Sequence, residues 1–164
     1  MTDVAVRLAS AEDRLPIRRM LELYQHDLSD IWDQDLDAHG EFGYALDRFW
    51  ANDGCHALVA LAAGRYAGFA LVSREVPVGA EGYWLEQFCV LKKYRGRGLG
   101  RWLAGQVFSE LPGDWEVGQM PTNHAAQAFW RRVIGDVAGG HIEHVVANER
   151  FNGVVQCFSV PAAE

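Results

Sequence analysis

The sequence lacks the features that mark exported and membrane proteins. It has only three cysteines, an odd number, and they form no C-x-x-C pair. Free thiols in a reducing cytoplasm are therefore expected, rather than a disulfide framework. No apolar run approaches the roughly 20 residues that a bilayer span needs. Residues 1–10 lack the basic start and long apolar stretch of a signal peptide, so neither export nor a membrane partner is expected.

Positive charge is also scarce, with 15 Lys and Arg against 22 Asp and Glu and a net charge of -7. A general nucleic-acid-binding protein would carry a basic surface to neutralise phosphates, so the acidic net charge argues against that class. A local cationic site for one anionic cofactor stays possible. There is no repeat, low-complexity tract or long linker, so the 164 residues are expected to form a single domain, 1–164.

Hydrophobic periodicity predicts a mixed α/β (α+β) fold of order β-α-(α)-β-β-β-α-β-α-β-β. Ser10 followed by Asp13 resembles a capping box that opens a first helix, with Leu15, Ile17, Met20, Leu21 and Tyr24 on its apolar side. The other predicted elements are a hairpin turning at Ala63-Gly64, a strand buried on both faces at Tyr83–Leu91, a helix from Leu99 to Leu111, a strand at Trp115–Met120, a helix at Thr122–Ile134 with Gly135 after its end, and two strands around Asn152-Gly153.

The strongest local signal is Arg95 to Gly100, R-G-R-G-L-G, between an apolar strand and a helix. Glycine lets successive main-chain N–H groups turn inward together, and such a nest at a helix N-terminus binds phosphate oxygens. The loop is neither a P-loop, since no Lys-[Ser/Thr] follows, nor a G-x-G-x-x-G dinucleotide fingerprint. The alternative is a glycine-rich turn whose arginines only aid solubility.

The sequence contains two spaced motifs, Phe88-x-Val90-x4-Arg95-x-x-Gly98-x-Gly100 and Asn123-x-x-Ala126-x-x-Phe129-Trp130. They resemble two motifs of the GCN5-related N-acetyltransferase superfamily. In that family the first cradles the coenzyme A pyrophosphate and the second lines the pantetheine arm. The resemblance implies a mostly antiparallel sheet of six or seven strands flanked by about four helices, acetyl-CoA as co-substrate and no metal. The coenzyme-binding residues that it implies are Phe88, Cys89, Val90, Arg95, Gly96, Arg97, Gly98, Leu99, Gly100, Arg101, Asn123, Ala126 and Phe129.

Glu86 is the candidate catalytic residue, because it is the one carboxylate in the apolar Tyr83–Leu91 run. Apolar neighbours raise the pKa of a carboxylate toward a value useful for deprotonating an amine. The resemblance agrees, since many members of the superfamily use a Glu on this strand. The alternative is a structural Glu paired with a core His or Arg, or one at a solvated strand end. The Tyr that commonly protonates the leaving thiolate in the family is replaced by Trp130, so another group must serve (Tyr83, Tyr94, Cys89 or water) or the thiolate leaves unaided.

The acceptor is less well specified. The acidic segment from Asp27 to Asp53 is either a lip that attracts a cationic amine or a solvated charged face. His141 and His144 lack a third metal ligand, and Cys89 fits a small buried thiol better than a nucleophile.

Together these features predict an acetyl-CoA-dependent N-acetyltransferase acting on a small-molecule or peptide amine in a ternary complex. The alternative is a non-catalytic acyl-CoA-binding or regulatory module on the same fold. A homodimer is possible.

Overall fold

The computed structural model describes residues 3–164, which form seven strands and four helices. The strands are β1 (Val4–Leu8), β2 (His56–Ala62), β3 (Arg65–Ser73), β4 (Tyr83–Val90), β5 (Gly113–Gln119), β6 (Ile142–Ala147) and β7 (Asn152–Val160). The helices are α1 (Arg14–Trp32), α2 (Arg48–Ala51), α3 (Leu99–Glu110) and α4 (His124–Ala138). The predicted element order is confirmed.

The strands form one mixed sheet of order β1-β2-β3-β4-β5-β7-β6. β4 and β5 are parallel, whereas β1 with β2, β5 with β7 and β6 with β7 are antiparallel. The mixed, mostly antiparallel sheet flanked by four helices is the predicted fold class. Within residues 3–164 no helix has the length and hydropathy of a membrane span.

The chain divides into two compact units. The first unit contains residues 3–71 and 87–100 of the described part of the chain, and its core includes Ile17, Met20, Leu21, Phe69 and Cys89. The second contains residues 72–86 and 101–164, and the largest fully buried side chains in it are Trp115, Phe108, Leu103 and Ile134.

The start of α1 is organised by the buried carboxylate of Asp13, which accepts a hydrogen bond from the Ser10 main-chain N–H at 2.7 Å. That contact is the Asp13 half of the predicted capping box. The carboxylate also accepts two bonds from Arg7, at 2.5 and 3.0 Å, and one from the Tyr66 hydroxyl at 2.6 Å. Leu15, predicted on the apolar side of the helix, is half exposed instead.

Three local predictions are corrected by the structure. α4 continues past Gly135 to Ala138, and the Gly139 N–H donates to the Gly135 carbonyl at its end. The helix passes through Gly135 because one glycine in a long helix costs only about 1 kcal/mol. The last hairpin does not turn at Asn152-Gly153, because the register pairs Ala147 with Asn152 and leaves residues 148–151 as the turn.

The third correction concerns β4, which is a strand as predicted but is not buried on both faces. Leu85, Cys89 and Val90 are buried, while Trp84 and Phe88 are only half-buried. Apolar composition shows that side chains can be buried, but it does not show whether another layer of the protein covers them.

Candidate functional site

The loop after β4 has the backbone geometry that an anion nest requires. A short 3-10 turn, Lys92–Tyr94, leads into an extended Arg95, and α3 then begins at Leu99. Gly96 and Gly98 have φ angles of 75° and 79°, in the left-handed region that side chains with a Cβ rarely adopt. The glycines are therefore required by the path of the chain, and the loop opens onto the N-terminus of a twelve-residue helix.

The side chain of Arg95 is used within the first unit rather than left free for a ligand. Its Nε donates to the Val90 carbonyl at 2.7 Å, and a terminal nitrogen donates to the Asp27 carboxylate at 2.6 Å. Asp27 lies on α1, 68 residues away in sequence. The guanidinium therefore braces the loop, and its charge is largely balanced by Asp27.

The other loop residues differ in what they can offer. The Leu99 side chain is buried, so only the backbone of this residue can contact a ligand. Arg97, Lys92 and Lys93 form no ion pair within residues 3–164. Arg101 belongs to the second unit, where it is paired with Asp136 at 2.6 Å.

The strand segment Phe88–Val90 in the first unit carries a shielded thiol. Burial raises the pKa of Cys89 to about 12, which fits the predicted inert thiol rather than a nucleophile. Burial likewise raises the pKa of the Tyr24 hydroxyl, although proximity to the Phe88 main-chain N–H lowers it to a smaller degree. The Tyr24 ring meets Phe69 edge-on, so the sequence correctly indicated a core-facing residue but not its position against the predicted coenzyme strand.

In the second unit, Glu86 lies just past the point where the two parallel strands stop pairing. Within the described residues, β4 and β5 pair only at Tyr83–Trp115 and Trp84–Glu116, although β5 continues to Gln119. Glu86 is half-buried. A strand that leaves its neighbour no longer forms ladder hydrogen bonds with it, and this geometry can admit a peptide-like ligand beside the strand.

An aromatic pair that the sequence did not single out lies on this part of the second unit. The rings of Trp84 and Phe151 meet edge-on at 5.2 Å, over Gly118. A Cβ added to Gly118 would lie 2.5 Å from the Trp84 ring and 2.8 Å from Phe151. Trp84 is two residues from Glu86 and so lies on the same face of β4. The sequence offered one signal for this pair, because Phe151 is an aromatic residue in the otherwise polar turn 148–151.

The second motif forms the start of α4. The Asn123 side-chain oxygen accepts a hydrogen bond from the Ala126 N–H at 3.2 Å and caps the helix. Ala126 and Phe129 are half-buried, whereas Trp130 is buried and packs against Phe108. Trp130 is therefore a core residue.

The acidic segment is partly neutralised by arginines of α1 in the first unit. Asp47 pairs with Arg14, and Glu41 pairs with Arg18 at 2.7 Å. Asp30, Asp33 and Asp35 are exposed and form no ion pair with any residue of 3–164. The residues from 3 to 164 contain no cluster of His, Cys, Asp or Glu suited to a metal ion, and His141 instead lies 3.4 Å from Glu143.

Solved acetyltransferases share this fold at low sequence identity. The structure aligns with an acetyltransferase from Thermus thermophilus at a TM-score of 0.70 and 15% identity, covering 96% of this chain and 97% of the other. Spermidine N-acetyltransferase from Vibrio cholerae, in complex with CoA and spermine, aligns at 0.61 and 11%, covering 98% and 96%. An aminoglycoside acetyltransferase in complex with coenzyme A aligns at 0.68 and 16%, covering 96% and 95%.

The sequence itself carries the family relationship. No curated protein sequence matches the chain significantly. The acetyltransferase (GNAT) family model, however, matches residues 17–135, which include the glycine loop, β4 and the capped start of α4. The chain therefore belongs to the GNAT acetyltransferase family.

Proposed function

We propose that the protein is an N-acetyltransferase that transfers the acetyl group of acetyl-CoA to a primary amine by direct attack in a ternary complex. The observation that carries the proposal is the loop Arg95–Gly100, whose two left-handed glycines open onto the N-terminus of α3. Family membership and the coenzyme A bound to two of the aligned acetyltransferases support it.

The main-chain N–H groups of Gly96 to Gly100 would bind the pyrophosphate, with Arg97 supplying positive charge. Arg95 would keep the loop in shape through its bonds to Val90 and Asp27. The edge of β4 at Phe88, Cys89 and Val90 would bind the pantetheine arm and donate an N–H to the thioester carbonyl. In the second unit, the coenzyme-binding residues of this proposal are Asn123, Ala126 and Phe129 at the start of α4.

Glu86, directly or through a water molecule, would take the proton that the amine loses as its nitrogen attacks the thioester carbonyl. The new C–N bond forms, the C–S bond breaks, and the sulfur leaves as a thiolate. With Trp130 in the core, the usual family acid is missing. A thiol pKa of about 8.5 makes unaided departure chemically acceptable.

The acceptor would be a small-molecule or peptide amine that carries positive charge. Aromatic rings attract cations, and Trp84 and Phe151 form an aromatic pair on the Glu86 face of β4. The unpaired carboxylates at the end of α1 would raise the local concentration of cationic substrates. Polyamines and aminoglycosides, the chemistry named for two aligned acetyltransferases, are therefore the first acceptors to test.

A cytoplasmic location is part of this proposal, because the three cysteines are free thiols. Fractionation of cells that express the native protein would test the location. Light scattering would test whether the protein forms the homodimer considered above.

The decisive experiment follows thiol release from acetyl-CoA with a panel of polyamines, aminoglycosides and amine-bearing peptides. We expect amine-dependent release and a product that is heavier by one acetyl group in mass spectrometry. Measurable CoA binding without release for any amine would favour the non-catalytic module. Failure to bind CoA at all would refute both functions.

A further inference from the structure

The first unit contains a cavity of about 370 Å³, and of its lining residues the roles above use only Arg97 and Leu99 of the glycine loop. It lies between the start of β1, the β2–β3 turn and the segment that leads into the glycine loop. Its volume falls in the range of small-molecule sites. The uncharged part of its wall is formed by Val4, Ala62, Ala63, Tyr94 and Leu99.

The charged part of the wall is strongly cationic. Arg65, Lys93 and Arg97 line the cavity, and Asp3 is the one carboxylate among its lining residues. None of the three cations forms an ion pair with any residue of 3–164, whereas Arg95 and Arg101 are both paired. Three cations against one carboxylate leave an excess of two positive charges in a chain whose net charge is -7. Like charges gathered in one place repel, and a bound anion removes that cost.

The walls are held by main-chain hydrogen bonds. Ala63 and Gly64 have φ angles of 49° and 70°, the geometry of a two-residue hairpin turn that places Arg65 at the start of β3. The Ala63 N–H donates to the Asp3 carbonyl at 2.7 Å and joins the turn to the start of β1. Just before Lys93, the Leu91 N–H donates to the Ala67 carbonyl at 2.8 Å and joins this segment to β3.

We propose that this cavity binds a phosphate monoester carried on an organic group. A phosphate monoester bears a charge of about -1.5 to -2 at neutral pH, which matches the excess of two positive charges. The guanidinium groups of Arg65 and Arg97 offer paired N–H donors that suit phosphate oxygens, and Lys93 adds a point charge. Tyr94 and the two alanines provide a surface for a ring or another apolar group, which inorganic phosphate would not use.

Two sources carry this chemistry. One is the 3′-phosphoadenosine end of coenzyme A, because Arg97 and Leu99 belong both to the cavity wall and to the glycine loop; this source rests on the proposed function. The other source is a separate phosphorylated small molecule. The two sources differ in whether the cavity and coenzyme A can be occupied at the same time.

Calorimetric titration of the full chain with adenosine 3′,5′-bisphosphate tests the site. We expect Arg65→Ala and Lys93→Ala each to weaken binding by about tenfold, since each removes a charge-assisted contact. Asp3→Asn should strengthen binding slightly. Arg19→Ala, which removes an exposed arginine of α1 outside the cavity, is the matched control and should change affinity less than twofold. Thermal unfolding of each variant confirms that it folds.

Titration with CoA and with dephospho-CoA identifies the source. If the coenzyme fills the cavity, CoA binds at least about tenfold more tightly than dephospho-CoA, and Arg65→Ala abolishes that difference. If a separate ligand fills it, the bisphosphate binds to the CoA-saturated protein and Arg65→Ala leaves CoA affinity unchanged. Absence of bisphosphate binding, or equal binding to wild type, Arg65→Ala and Lys93→Ala, would overturn the proposal. Absence of CoA binding would instead refute the proposed function, and the bisphosphate result would stand independently.

Discussion

The guanidinium of Arg95 bridges the Asp27 carboxylate, at 2.6 Å, and the Val90 carbonyl, at 2.7 Å. It thereby connects the glycine loop to both α1 and β4. We expect Arg95→Ala to weaken CoA binding by about tenfold, because the loop loses its brace. Unfolding free energy should change by only about 1 kcal/mol, since the Arg95 and Asp27 side chains are 46% and 39% exposed. Calorimetry and denaturant titration measure the two quantities.

Asp27→Asn is the matched partner variant, because it removes the ion pair but leaves the bond between Arg95 Nε and Val90. Its CoA affinity should stay within about threefold of wild type. An Arg95→Ala variant that binds CoA normally would show that the bridge has no part in binding the coenzyme.

Gly98→Ala should weaken CoA binding by at least tenfold. No atom lies within 4 Å of the added Cβ, so the effect comes from the backbone, whose φ of 79° costs a residue with a Cβ roughly 1–2 kcal/mol. The loop is expected to relax away from the geometry that directs its N–H groups at one anion. Isothermal titration with CoA measures the loss.

The control is Gly105→Ala, inside α3 and also with open space around the added Cβ. It should leave CoA affinity unchanged and stabilise the protein by up to about 1 kcal/mol, because alanine is the better helix former. Equal CoA affinity in the folded Gly98→Ala variant would refute the assignment of the loop.

Glu86→Gln should lower kcat near neutral pH by about a hundredfold or more while KM for acetyl-CoA stays near normal. The amide retains the size of the carboxylate but cannot accept the proton of the amine. Thiol release measured across pH tests this. Glu81→Gln, at an exposed position shortly before β4, is the control and should retain full turnover. Full turnover in Glu86→Gln would make Glu86 a structural residue.

Asp13 should make the protein sensitive to acid. The Asp13 carboxylate accepts hydrogen bonds from Arg7, Tyr66 and Ser10, and these bonds, the Arg7 bond most of all, hold its pKa well below the usual range. A carboxylate with a lowered folded-state pKa contributes stability above its unfolded pKa of about 3.9, and that contribution is lost as the pH falls toward the folded value. Asp13→Asn should therefore cost on the order of 3 kcal/mol at pH 7 and flatten the loss of stability below about pH 4.

Denaturant titrations between pH 2 and pH 7 measure this effect. Tyr66→Phe removes only the hydroxyl that lies 2.6 Å from Asp13, so it should cost about 1 kcal/mol and retain the acid sensitivity. The explanation fails if Asp13→Asn and wild type lose stability in parallel below pH 4.

Signals confined to neighbouring residues predicted the structure well. Ala63-Gly64 forms the expected hairpin turn, and the Arg95–Gly100 loop lies between strand and helix as its glycines indicated. Asn152-Gly153 wrongly predicted the position of the last hairpin turn, because Gly153 is required by close packing rather than by a turn. A Cβ at Gly153 would lie 2.1 Å from the Gln119 carbonyl oxygen, and the turn is instead organised by Asn148, whose side chain accepts hydrogen bonds from the N–H groups of Arg150 and Phe151.

The sequence by itself determined the fold class, the family and the position of the anion loop, because these depend on periodicity, glycine and motif spacing along the chain. Only the tertiary structure decided which cations of that loop are available. Arg95 is neutralised by a carboxylate 68 residues away, Arg97 is not, and Arg65 joins Arg97 from another hairpin. Ion pairing falls steeply with distance in space, and no local pattern records the distance between residues far apart in sequence.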